Sequence, residues 1–225
     1  MKKIVCLFIG VFTCVQLFAQ GVGFKSISLK EALEQAKAQG KMVFVDCYTT
    51  WCGPCKMMAE QVFPQKEAGD FFNTHFVNVK FDMEKGEGKE LSTRFKIRAY
   101  PTFLLLEPDG TGRYRIVGGG ELEDFIERVS RGLQEKNSLP VLDKEYTTGK
   151  MSKRRMLDLV MTLQDAYDAD RLKVVADELV KRLTFNEKVS TPYWVIYEDN
   201  SLSPLTSDNF SVLLKNKAAV EKNGG

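Results

Sequence analysis

The spacing of apolar and polar positions changes several times along the chain, and each change marks an element. Ser28-Leu29-Lys30-Glu31 forms a capping box, in which the Ser hydroxyl and the Glu carboxylate each satisfy a free backbone N–H at a helix start. Leu29, Ala32, Leu33 and Ala36 then recur at helical spacing, and Gly40 stops the helix. Met42 to Tyr48 is short, apolar and β-prone, which predicts a strand buried on both faces, broken only by Asp46. Lys56 to Phe63 reads as the body of a helix whose first turn holds Cys52 and Cys55, and Pro64 ends or kinks it. Phe76 to Met83 alternates as a second strand. The charged stretch Glu84 to Lys89 lacks the order of a calcium loop, reads as solvated, and leads into a helix around Glu90 to Phe95. Thr102 to Leu106 and Arg113 to Val117 flank Asp109-Gly110 as a hairpin, and after Gly118-Gly119-Gly120 an amphipathic helix runs from Glu121 to Leu133. The order predicts an α/β sheet with parallel pairing first and an antiparallel hairpin last.

From Asn137 to Pro140 the pattern changes, and the segments beyond it are helical. Met151 to Tyr167 and Arg171 to Leu183 read as an antiparallel pair, and Phe210 to Val220 as a further helix. Lys153-Arg154-Arg155 reads as a solvated helix face, and Trp194 and Tyr197 as packing residues. At the other end, Met1-Lys2-Lys3, the apolar run Ile4 to Phe18 and Ala19-Gln20-Gly21 have the basic, apolar and small-residue regions of a secretory leader cleaved after Ala19. Thr13 and Gln16 interrupt a run already shorter than the ~20 residues that span a bilayer, so export is expected and membrane retention is not.

Composition adds exclusions. With 225 residues, 44% hydrophobic and 28% charged, the chain can bury a core without staples. Lys+Arg number 32 against 30 Asp+Glu, and loss of Lys2 and Lys3 with the leader brings the two into balance, which argues against nucleic acid as a partner. Cys6 and Cys14 leave with the leader, so the mature chain keeps Cys47, Cys52 and Cys55. One close pair in an exported chain invites a redox reading.

A dithiol exchanger needs one thiolate to attack a disulfide and a second thiol near enough to resolve the mixed disulfide. Cys-x-x-Cys at a helix start supplies both, because free N–H groups and the macrodipole stabilise a thiolate on the first cysteine. Cys52 is the expected nucleophile and Cys55 the covered resolver. The rival is half of a zinc site, but beyond the pair the mature chain offers only Cys47 and His75 as further Cys or His ligands, and no metal or other cofactor is expected. Cys47 follows Asp46 in a strand, so it faces the opposite side of the sheet and reads as a small buried hydrophobe. Asp46, in an apolar strand, is a candidate proton acceptor for the resolving thiol if burial raises its pKa; a turn or capping role is the alternative.

Val45-Asp46, then Trp51-Cys52-Gly53-Pro54-Cys55-Lys56, then Ile97-Arg98-Ala99-Tyr100-Pro101-Thr102 before a strand pair, together resemble the thioredoxin superfamily over about Phe24 to Leu133. The wording around Phe44 to Phe63 looks most like the periplasmic thioredoxin-like domains of disulfide interchange proteins. The resemblance implies a thioredoxin fold, a mixed central sheet flanked by helices, followed by an all-α C-terminal region. The chain then divides into a leader (1–19), a thioredoxin-like domain (20–137) and a helical region (138–225). It also implies that Pro101 is the cis-proline facing the cysteine pair and that Lys80 lies near the buried acid. Trp51, Gly53, Pro54, Tyr100 and Pro101 would meet the substrate chain, and Gly118 matches a glycine of its groove. Thr49-Thr50, Cys47 and Tyr100 depart from the usual family wording.

These readings lead to an exported, periplasmic or secreted thiol-disulfide oxidoreductase that reduces substrate protein disulfides and is recharged by an upstream dithiol donor. Gly-Pro between the cysteines favours the reducing direction. Disulfide isomerase or oxidase work is the alternative within the class, with the C-terminal helices offering an oligomer surface. A non-catalytic binding or chaperone module acting through those helices is the alternative outside it.

Overall fold

The computed structural model describes residues 21–198, 211 and 214–218; the expected leader and most of the helix expected over Phe210 to Val220 lie outside them. Ser28 caps α1 (Leu29–Gln39) with both halves of the capping box formed, and Gly40 closes it at φ 63°. The strands are β1 (Phe24–Lys25), β2 (Met42–Tyr48), β3 (Phe76–Asp82), β4 (Thr102–Leu106) and β5 (Gly112–Val117). Their spatial order is β1-β3-β2-β4-β5. β3 pairs parallel with β1 and β2, whereas β4 runs antiparallel to β2 and β5, so the expected parallel start and hairpin end are both present.

The sheet is covered on both faces, as its apolar central strands require. One face packs Val43, Val45 and Cys47 against α1 and against Leu91 of α4 (Glu87–Arg94). The other face is built on phenylalanine: Phe44 stacks on Phe103 at 5.5 Å, and Phe72 on Phe125 at 5.7 Å. Phe72 and Phe125 come from α3 (Lys66–His75) and α5 (Leu122–Leu133), so these rings join helices to sheet. Each buried ring contributes about 1.5–3 kcal/mol.

The helix after the cysteines differs from expectation. α2 (Gly53–Met57) passes into a wider π-type turn over Met58–Val62 before Pro64. α3 comes next, and like β1 and α6 (Leu139–Thr147) it is an element that the sequence pattern does not predict. β1 has two residues, too few to show a period.

The expected antiparallel pair is α7 (Lys153–Asp165) and α8 (Ala169–Arg182), with Met156, Leu159, Leu163, Leu172, Val175 and Leu179 in a core of their own. In the run Lys153-Arg154-Arg155 only Arg154 is the solvated residue expected, and its neighbours are paired. Arg155 reaches Glu145 at 2.8 Å, Asp158 at 2.7 Å and Asn137 at 3.1 Å, and Lys153 reaches Glu187 at 2.6 Å. A neighbouring acid on another helix is not visible in the local pattern. Tyr197 is buried, in line with its packing role. The helices are fastened to the sheet through Asp165, which accepts from Tyr114 Oη (2.7 Å), Arg128 Nε (2.8 Å) and Arg131 Nη2 (3.0 Å).

Candidate active site

Cys52 stands at the cap position of α2 and is disulfide-bonded to Cys55, one turn in. The Cys55 amide N–H donates to Cys52 Sγ at 3.1 Å, so the helix start already directs a donor at this sulfur. Pro54 sits in the first turn, where its missing N–H costs nothing. In this oxidised pair the expected difference in exposure is absent: Cys52 is 3% and Cys55 6% exposed.

Several of the expected substrate-facing groups contact one another next to Cys52 in sequence. Trp51, 64% exposed, meets the Tyr100 ring edge-on at 5.8 Å. The Tyr100–Pro101 peptide is cis. Gly118, at φ 83°, donates its N–H to the Pro101 carbonyl at 2.9 Å, which joins the glycine expected in the groove to the expected cis-proline. A Cβ on Gly119 would lie 2.8 Å from Met58 Sδ, so this loop approaches the turn after α2 more closely than a side chain allows. Gly53 has open space above it.

Asp46 lies on β2, directly paired with Lys80 on β3 and with Phe103 on β4. It is buried, its Oδ1 has no hydrogen-bond partner, and burial pushes its pKa up to about 7 against the pull of the Lys80 charge. A turn or capping role does not fit this position within the strand. Both Asp46 and Lys80 line a cavity of about 480 Å³ shared with Phe24, Ser26, Ala59 and Phe63, and Lys80 Nζ lies 5.6 Å from the Phe24 ring centre. Cys47 faces the opposite layer, where burial and the nearby Asp46 charge push its thiol pKa up and keep it protonated.

Two features of the site leave no trace in the sequence. Trp51 Nε1 donates to Glu84 at 3.0 Å, and buried Thr49 keeps Oγ1 without a hydrogen-bond partner beside the pair. Glu84 lies in the stretch that reads as solvated loop, and only the fold shows that it returns to Trp51.

A thioredoxin-like domain model matches residues 29–131. Thioredoxin AMT13 of Alternaria alternata is 35% identical over 99 residues, covering 43% of this chain and 78% of that protein. The chain belongs to the thioredoxin family. Thioredoxin Asp f 28 of Aspergillus fumigatus is 37% identical over 90 residues, 39% of this chain and 78% of that one. The thiol:disulfide interchange protein DsbD of Pseudomonas fluorescens is 33% identical over 103 residues, which is 44% of this chain but 18% of DsbD. Among solved structures, a putative disulphide-isomerase from Bacteroides thetaiotaomicron is 44% identical, with a TM-score of 0.48, over 52% of this chain and 97% of that one. The thioredoxin-like match therefore ends before α6, and the helices from α6 onward lie beyond it.

Proposed function

We propose that this thioredoxin-family chain is an exported thiol-disulfide oxidoreductase that reduces disulfides of other proteins. The observation that carries the reading is the Cys52–Cys55 disulfide at a helix start whose N–H points at Cys52 Sγ. In the reduced protein the Cys52 thiolate attacks a substrate disulfide, forming a mixed disulfide and releasing one substrate sulfur as thiolate. Cys55 then gives its proton to the Asp46 carboxylate and attacks Cys52 Sγ. The second substrate sulfur leaves as thiolate and takes up a proton, and the protein is left as the Cys52–Cys55 disulfide. An upstream dithiol restores it. No metal or nucleotide enters this cycle.

Lys80 holds the Asp46 charge in range, and Trp51, Gly53, Pro54, Tyr100 and Pro101 form the surface on which the substrate chain lies. The division into 1–19, 20–137 and 138–225, removal of the leader near Ala19 and a periplasmic or secreted location complete the reading. Among the described residues no helix is long and apolar enough to cross a membrane. The reading is tested by the reduction potential of the pair in dithiothreitol and glutathione buffers. A value near about −270 mV fits a reductant, whereas about −180 to −120 mV overturns the reductase direction in favour of isomerase or oxidase work.

A further inference from the structure

Lys96 and Tyr167 are the non-glycine residues with positive φ among those described, at 51° and 55°. Each succeeds a helix in the same way. Ile97 N–H returns to the Ser92 carbonyl at 2.9 Å behind α4, and Asp168 N–H returns to the Leu163 carbonyl at 3.0 Å behind α7. This helix ending favours glycine, because a Cβ in the left-handed region costs about 1–2 kcal/mol. The chain keeps a lysine and a tyrosine there, and both line one cleft of about 550 Å³ between the 95–98 segment and the α7–α8 turn. Strained backbone that keeps its side chain points to what that side chain presents.

The cleft is cationic. Lys96 and Arg98 are exposed and make no ion pair among the described residues, and Arg115 is held in the wall by donating to the Phe95 carbonyl. The wall's one carboxylate, Asp168, is answered by its own helix: it accepts from Arg171 N at 3.4 Å and lies 3.7 Å from the Arg171 guanidinium. Tyr167 stands 76% exposed over these charges. Arg98 is also two residues from Tyr100, whose ring packs on Trp51, the residue before Cys52. Trp51 itself donates to Glu84.

We infer that this cleft is a docking surface for an acidic segment of the protein whose disulfide is exchanged. Charge complementarity selects that occupant, and an exposed aromatic ring among cations provides an anchor. The inference rests on the proposed thiol-disulfide chemistry and adds a substrate class to it.

The test compares disulfide peptides that differ only in a tail of Glu, Gln or Lys. The reduced protein is used as wild type, Lys96→Gly, Tyr167→Gly and Arg98→Gln. The two glycine variants relieve left-handed strain, so they fold at least as stably as wild type. The expected result is a kcat/KM about tenfold higher for the Glu tail than for the Gln tail at low salt, lost at about 0.5 M salt. In each variant that ratio falls to about twofold or less while the Gln-tailed rate is unchanged. Equal rates for all tails in wild type, or a ratio retained in every variant, overturns the inference. If wild type reduces none of the peptides, it is the redox reading that fails. Titration of a cysteine-free Glu-tailed peptide then decides the surface: saturable binding lost in Lys96→Gly supports docking, and no binding overturns it.

Discussion

At the residue scale, Asp46 carries the largest consequence. Its folded pKa, about 7, lies above the ordinary carboxylate value, so at pH between the two the folded chain holds a proton that the unfolded chain has lost. Stability from this source is complete below about pH 4 and is lost as pH rises towards about 7. Asp46→Asn cannot ionise and escapes this loss. Denaturant titrations are expected to show the variant gaining on wild type with rising pH, by on the order of 4 kcal/mol at about pH 8. A parallel pH dependence of the two proteins would contradict the buried, unpaired carboxyl. The same substitution should slow the resolving step above about pH 7, where the carboxylate would otherwise take the Cys55 proton. A second prediction separates the sulfurs. Cys55→Ser should accumulate a mixed disulfide with a cysteine-bearing protein, visible on a non-reducing gel, whereas Cys52→Ser should not.

At the element scale, the loop after β5 closes on the turn after α2 through a glycine. Met58 is fully buried, so a methyl group at Gly119, 2.8 Å from its sulfur, must displace it or move the loop. Gly119→Ala should lower stability by about 1–3 kcal/mol, as overpacking does, and differential scanning calorimetry reads the loss directly. These elements also show what the sequence makes legible. α1, β2 and the β4–β5 hairpin carry a period, a cap or a turn within their own residues, so each can be read locally, and so can the helix start beneath Cys52. β1 exists because β3 offers its edge, and neither it nor the π-type turn leaves a local pattern. The site divides the same way: the pair and Asp46 announce themselves by type and position. The Glu84 bond to Trp51 and the Gly118 bond to Pro101 are products of folding.

At the scale of the whole molecule, the junction at Asp165 decides whether the helices and the sheet behave as one body. Its carboxylate is almost fully buried and accepts from Tyr114 of β5 and from Arg128 and Arg131 of α5. Arg128 also donates to the Val117 carbonyl at 2.9 Å, at the base of the loop that carries Gly118. The loop after β5 and the helical region therefore share a cation. Removing one side of a buried charge cluster leaves the other uncompensated, at about 3–5 kcal/mol. Asp165→Ala should accordingly loosen α7 and α8 from the sheet, so that protease cuts first between α5 and α6. The Cys52–Cys55 pair should keep its potential, because none of the groups bonded to Asp165 lies on α2 or β2. The cationic cleft should suffer, since its Tyr167 wall comes directly after α7. In Asp165→Ala the preference for an acid-tailed peptide should therefore collapse while the neutral peptide is still reduced. If both rates fall together, the helices support the chemistry itself rather than the choice of substrate.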